Sequence, residues 1–171
     1  AKYYTLDYSR PLSRDYEYIY LALKYHHDDL IEGLFDHLPG TPDFYYAILT
    51  VFVSSNRVDL LMSTMEKYGT PPHHKLQALA ETALRNSCID VFTCLRDKFQ
   101  FSIDRFPLNL LARSGNIALI QEYMVSPNAS RTPAEVEDQL RYMIFGTRQP
   151  NRLTVFKLLF EWLDKLMPDR C

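Results

Sequence analysis

FPLNLLARSGNIALIQEYM, residues Phe106 to Met124, reads as two short helices set back to back. Pro107 stands where a first helical residue can lack its N–H, because that donor has no intrahelical partner anyway. Leu108, Leu111 and Ala112 then form an apolar stripe at helical spacing. Ser114-Gly115-Asn116 breaks the helix, and Gly115 can take the left-handed conformation that ends it without a Cβ penalty. Ile117, Ile120, Tyr123 and Met124 restart the stripe.

The same unit recurs on both sides. Upstream, Ala1 to Leu12 is an extended lead-in carrying Tyr3, Tyr4 and Tyr8. Ser13 caps a helix over residues 14–25 with Tyr16, Ile19, Tyr20 and Leu23 on its apolar face. His26-His27-Asp28 turns the chain, Asp28 or Asp29 caps the next helix, and Leu30, Ile31, Leu34 and Phe35 line it. Thr41-Pro42 opens a second unit that turns at Ser54-Ser55-Asn56 and ends at Gly69. Thr70-Pro71-Pro72 opens a third that turns at Asn86-Ser87 and leads through Gln100–Arg105 into the quoted stretch. Downstream, Thr132-Pro133-Ala134-Glu135 is a capping box. Gln149-Pro150-Asn151 turns, and Leu153, Phe156, Leu159, Phe160 and Leu163 make the most apolar helix, extended by Trp162 and Leu166 and stopped by Pro168.

The residues that begin the turns, His26, Asn56, Ser87, Gly115 and Asn151, are spaced 30, 31, 28 and 36 apart. Four and five places after each comes an apolar doublet: Leu30/Ile31, Leu60/Leu61, Val91/Phe92, Leu119/Ile120 and Val155/Phe156. A fixed period of this size, about 33 or 34 residues in the best-known cases, marks helical repeats that bury their apolar faces only by stacking. The expected fold is all-α: one domain over residues 1–171, built as a solenoid of five antiparallel helix pairs. The units run 13–40, 41–69, 70–105, 106–130 and 131–168.

Phe106-Pro107-Leu108-Asn109, Leu111-Ala112, Gly115-Asn116 and Leu119-Ile120 resemble the ankyrin repeat, whose core runs Thr-Pro-Leu-His, Ala-Ala, Gly-His and Val-Val. The Thr-Pro openings at Thr41, Thr70 and Thr132 fit the same pattern. Outside the fourth unit the first helix of each pair is several residues longer than the ankyrin spacing. The Gly-Ala-Asp-Val string that follows the second helix in ankyrin repeats is absent, so the projecting hairpins are expected to be short or missing. The strings ALKYHHDDLI and LLFEWLDKL also resemble helical-repeat proteins of large DNA viruses, including the multigene families of African swine fever virus. Degenerate ankyrin arrays of intracellular bacterial effectors are similar too.

Composition bounds the function. Hydrophobic residues make up 47 % of 171 residues, a globular value, and the net charge is −2 with Lys and Arg scattered, which leaves no electrostatic footprint for nucleic acid. No apolar run approaches the roughly 20 residues of a membrane-spanning helix. Ala1 rather than Met opens the sequence, so nothing about targeting follows from its first residues. The three cysteines, Cys88, Cys94 and Cys171, lack zinc spacing and fit a reducing compartment, the cytoplasm. Under the viral or bacterial resemblance this is the host cytoplasm. Cys88 and Cys94 are read into one helix, with Cys94 as a small core residue.

His26-His27-Asp28-Asp29 is the most suggestive polar cluster. Adjacent side chains cannot all point at one ion, so a turn with a helix cap is the better reading. No phosphate loop, nucleophile elbow or zinc-protease string occurs, and no metal or cofactor is expected. The 12 tyrosines and 10 phenylalanines fill the core between repeats or, where off the apolar stripe, offer amphipathic contacts for a protein partner. Candidate partner-binding residues are Tyr16, Tyr18, Tyr45, Tyr46, His73, His74, Arg105 and Arg141, with Arg113, Arg148 and Arg152 as further basic positions. The sequence is thus read as a non-enzymatic protein–protein interaction module, monomeric or weakly dimeric. The viral or effector resemblance implies binding of a host protein to modulate signalling or immunity. A targeting or regulatory domain of a larger enzyme is the other reading.

Overall fold

The computed structural model describes residues 19, 21–23, 25, 27, 30–31, 42–128, 132–145 and 151–168. Every regular element among the described residues is helical: α1 (Pro42–Ser54), α2 (Val58–Tyr68), α3 (His73–Arg85), α4 (Ile89–Phe99), a 3-10 turn (Ile103–Arg105), α5 (Leu108–Ser114), α6 (Ile117–Val125), α7 (Pro133–Phe145) and α8 (Arg152–Leu166). Residues 19, 21–23 and 30–31 are also helical. The expected lead-in, the cap at Ser13 and the His26-Asp28-Asp29 turn lie outside the described residues.

The turns between paired helices share a backbone feature. Asn56, Ser87, Gly115 and Asn151, each read from sequence as the start of a turn, all adopt positive φ, at 55°, 58°, 71° and 54°. Such a residue reverses the chain so that the next N–H reaches back five residues to close the helix end. Arg57 N donates to Phe52 O at 3.0 Å, and Cys88 N to Ala83 O at 2.8 Å. His27 N makes the equivalent bond to Ala22 O at 2.9 Å, which puts the same closure in the first unit. In the fourth unit a side chain replaces that direct bond. Ser114 Oγ accepts from Asn116 N at 3.3 Å and donates to Leu111 O at 2.7 Å. Asn116 in turn caps α6, its Oδ1 accepting from Leu119 N at 3.2 Å.

Packing follows chain order. Each pair packs within itself, α1 on α2, α3 on α4, α5 on α6 and α7 on α8. The first helices also pack side by side, α1 on α3, α3 on α5 and α5 on α7, while α2 packs on α4 and α6 on α8. Two layers result, with the apolar core between them. Leu49, Phe52, Leu61, Leu79, Ala83, Phe92, Leu95, Leu111, Ile120 and Leu159 are fully buried in it. Each such large side chain contributes about 1.5–3 kcal/mol relative to exposure. Turns also bond to turns: Asn86 Nδ2 donates to Ser54 Oγ at 3.2 Å, and Asn151 Nδ2 to Gly115 O at 3.1 Å. Between second helices, Arg96 Nη1 pairs with Glu122 Oε2 at 2.7 Å.

The segment between α4 and α5 is an aromatic knot. Phe92 meets Phe106 edge-on at 5.0 Å, and Phe106 meets Phe101 at 6.1 Å. Phe101, Ile103 and Phe106 are buried, so the 3-10 turn plugs the gap left by α5, only seven residues long against thirteen in α1, α3 and α7. The longer first helices outside the fourth unit are as the spacing predicts. Several details differ. Pro107 precedes α5 with ψ 141° instead of opening the helix, and its carbonyl accepts the first helical bonds. Cys88 lies before α4, not in it, and is the buried cysteine, whereas Cys94 is half-exposed. Leu153 and Phe160 do not join the core, because α8 packs on α7 and α6 with its other face outward. The Thr132–Glu135 box forms with altered chemistry: Glu135 N donates to Thr132 Oγ1, and the Glu135 carboxylate accepts from the Thr132 hydroxyl.

Candidate functional site

The opening ends of α1 and α3 hold four of the residues singled out from sequence, Tyr45, Tyr46, His73 and His74. Two neighbouring tyrosines emerge from the second turn of α1, and both are half-buried. The Tyr45 hydroxyl donates to Gly69 O, and its ring lies 6.4 Å from that of Tyr68 at the end of α2. Tyr46 receives the Lys75 ammonium 4.5 Å from its ring centre, a cation–π contact across the α1–α3 seam. Burial raises the pKa of both phenols, and for Tyr46 the Glu81 carboxylate adds to it. Tyr45 thus ties α1 to the end of α2 and Tyr46 ties α1 to α3, while part of each ring stays in solvent. His73 sets its ring edge-on to Phe101 at 4.7 Å, and His74 is exposed beside it. Arg105 is exposed at the next opening. Arg141 lies apart, two turns into α7, with Glu137 Oε2 at 3.8 Å from its Nη2. Arg113 is exposed in α5. Tyr16, Tyr18 and Arg148 are outside the described residues.

A groove of about 390 Å³ runs between α5 and α7. Pro107, Leu108 and Asn109 form one wall, and Glu135, Asp138, Gln139 and Tyr142 the other. The four α7 residues fall at i, i+3, i+4 and i+7, one face of the helix. Leu108 is buried, Asn109, Glu135 and Asp138 are exposed, and the Tyr142 ring stands 45 % exposed at the rim. At the base Gln139 is only 4 % exposed, and its Nε2 has no hydrogen-bond partner. A buried amide donor without an acceptor costs about 1–3 kcal/mol. The groove is therefore apolar on one wall and acidic on the other, and the Gln139 donor is buried beneath its surface. Sequence reading took Glu135 here as the end of a capping box. The available signal was Gln139 itself, an amide on the apolar stripe of Val136 and Leu140.

Among the described residues no group of three or more His, Cys, Asp or Glu side chains is placed to hold a metal ion, and no helix is long and apolar enough to cross a membrane. Burial pushes the Cys88 thiol up from its ordinary pKa. Its Sγ lies 3.6 Å from Ser54 O, which makes it a donor in the turn-to-turn contact. No known protein family, curated protein or solved structure matches the chain.

Proposed function

We propose that the chain is a non-enzymatic protein–protein interaction module, an ankyrin-like solenoid of helix pairs that holds a partner along its row of first helices. The observation that carries this reading is the order of packing. Contacts pass from α1 to α3 to α5 to α7, so side chains from four successive repeats share one continuous layer. An array of this kind presents an extended surface on which several repeats each contribute a few side chains. Exposed and half-exposed Tyr46, His74, Arg105, Arg141 and Tyr142 stand at the repeat openings and on the first helices. Aromatic and Arg side chains of this kind dominate binding energy at protein interfaces. The resemblance of two sequence strings to viral and effector repeat proteins makes a host signalling protein the class of partner to look for.

The test is quantitative affinity capture from host-type cell lysate with the wild type and a His74→Ala/Arg105→Ala/Arg141→Ala variant. All three side chains are exposed, so the variant keeps its fold, as circular dichroism verifies. One dominant protein retained by the wild type and released by the variant supports the module. Absence of any saturable protein partner sinks it.

A further inference from the structure

We infer that α8 pairs antiparallel with α8 of a second copy of this chain. The repeat register marks the outward face of α8 as one that other units cover. Phe160 follows its turn residue, Asn151, at the distance at which Met65 follows Asn56 and Arg96 follows Ser87. Met65 is 3 % exposed, and Arg96 reaches the next second helix to pair with Glu122 at 2.7 Å. Phe160 is 50 % exposed. Leu153 stands two places after Asn151, where Val58, Ile89 and Ile117 of the earlier units are half-buried, yet it is 67 % exposed. Positions covered in earlier units are thus apolar and open to solvent on α8.

Two features of this face make a copy of itself the occupant. Leu153, Phe160 and Met167 stand seven residues apart, so they share one side of the helix and form a stripe symmetric about Phe160. An antiparallel copy centred there sets Phe160 against Phe160, and Leu153 of each chain against the half-buried Met167 of the other. The charges follow the same symmetry with opposite sign. Lys157 lies before that centre, Glu161 and Asp164 after it, all exposed along the same edge of the stripe. Turned about Phe160, Lys157 stands between Glu161 and Asp164 of the copy, within about 3 Å of each along the axis at the helical rise. Among the described residues none of the three forms an ion pair that would compete. A parallel copy instead sets lysine on lysine and acid on acid, which opposes association. The antiparallel arrangement is isologous and closes at two chains. It does not depend on the interaction-module reading.

The test is the mass of the full chain, by light scattering over a concentration series. The wild type is expected to rise from 20.1 kDa towards twice that value and no further. Lys157→Glu brings acid against acid at both ends of the pairing, and Glu161→Lys/Asp164→Lys brings base against base. Each variant alone should self-associate about tenfold more weakly than the wild type. An equal mixture of the two restores attraction at both ends and should associate as tightly as the wild type. The substituted side chains are all exposed, so both variants keep the fold, as circular dichroism verifies. A wild type that stays monomeric at millimolar concentration overturns the pairing, and so does growth beyond twice the monomer mass. Self-association unchanged in both variants, or a mixture that associates no more tightly than its components, overturns it as well.

Discussion

Asn56 and Asp90 stand 34 residues apart in the chain, yet Asn56 Nδ2 donates to Asp90 Oδ2 at 2.8 Å. The same asparagine accepts from Val91 N at 3.4 Å and holds φ at 55°. One residue thus closes its own helix and anchors the first turn of the second helix in the next pair. Asn56→Ala removes the side chain and forces a Cβ without local hydrogen bonding into left-handed backbone. It is expected to cost about 2–3 kcal/mol, combining about 1–2 for the backbone with about 1 for the bonds. Asn56→Gly keeps the turn and should cost only about 1 kcal/mol. Urea denaturation of both, and of each combined with Asp90→Ala, checks this. Equal losses in Ala and Gly variants would remove the backbone part of the account.

Ser114 performs in the fourth repeat what backbone alone does in the second and third. It is 3 % exposed and bridges Asn116 N to Leu111 O. Ser114→Ala leaves a donor and an acceptor apart in a buried site and should destabilise by about 1–3 kcal/mol. The equivalent positions of the other turns, Ser55 and Asn86, are not buried, and there alanine should change stability by about 0.5 kcal/mol or less. Thermal unfolding of the three single variants gives the comparison.

The turns were legible because so few residue types tolerate positive φ. An asparagine, a serine, a glycine and a second asparagine at near-regular intervals are a pattern that helix interiors do not supply. The apolar doublets were legible too: Leu61, Val91, Phe92, Leu119, Ile120 and Val155 are all buried. What stayed hidden depends on neighbours that sequence spacing does not specify. An apolar residue on α8 reads the same whether or not another helix covers it, so spacing did not separate Leu153 and Phe160, 67 % and 50 % exposed, from the buried Leu159 and Leu163. The groove was hidden for a related reason. It lies between the start of α5 and one face of α7, and spacing within a helix does not say which neighbour that face meets.

Alkaline pH should loosen the contacts of α1 with the end of α2 and with α3. Tyr45 and Tyr46 have folded-state pKa values raised above 10.0 by burial, with Glu81 adding to the effect at Tyr46. Between that value and the folded one, the native state holds more protons than the unfolded state. Stability is therefore unaffected by these groups below pH 10 and falls as pH rises through the folded values. Tyr46→Phe keeps a ring for Lys75 but removes one titration, so the alkaline decline should be shallower. Tyr45→Phe should also cost about 1 kcal/mol at neutral pH through loss of its bond to Gly69 O. Urea midpoints measured from neutral pH to beyond pH 10, alongside phenolate absorbance, test both statements.

Trp162 and Phe160, two residues apart on α8, should respond in opposite ways to truncation. Trp162 is 5 % exposed and meets the buried Tyr123 edge-on at 6.2 Å, joining the fifth repeat to the fourth. Trp162→Ala removes the largest side chain of that seam and is expected to cost about 3–5 kcal/mol. Phe160 faces outward and stacks only on Phe156, at 6.3 Å and 19° between planes. Phe160→Ser should therefore change stability by about 0.5 kcal/mol or less. It should also lower concentration-dependent association, because Leu153, Phe156 and Phe160 form the apolar side of the helix. Denaturation followed by the fluorescence of Trp162, the only tryptophan, reads stability for the wild type and Phe160→Ser. Circular dichroism reads it for Trp162→Ala, and light scattering over a concentration series reads association. A Phe160→Ser variant as unstable as Trp162→Ala would show that this face of α8 is covered in solution.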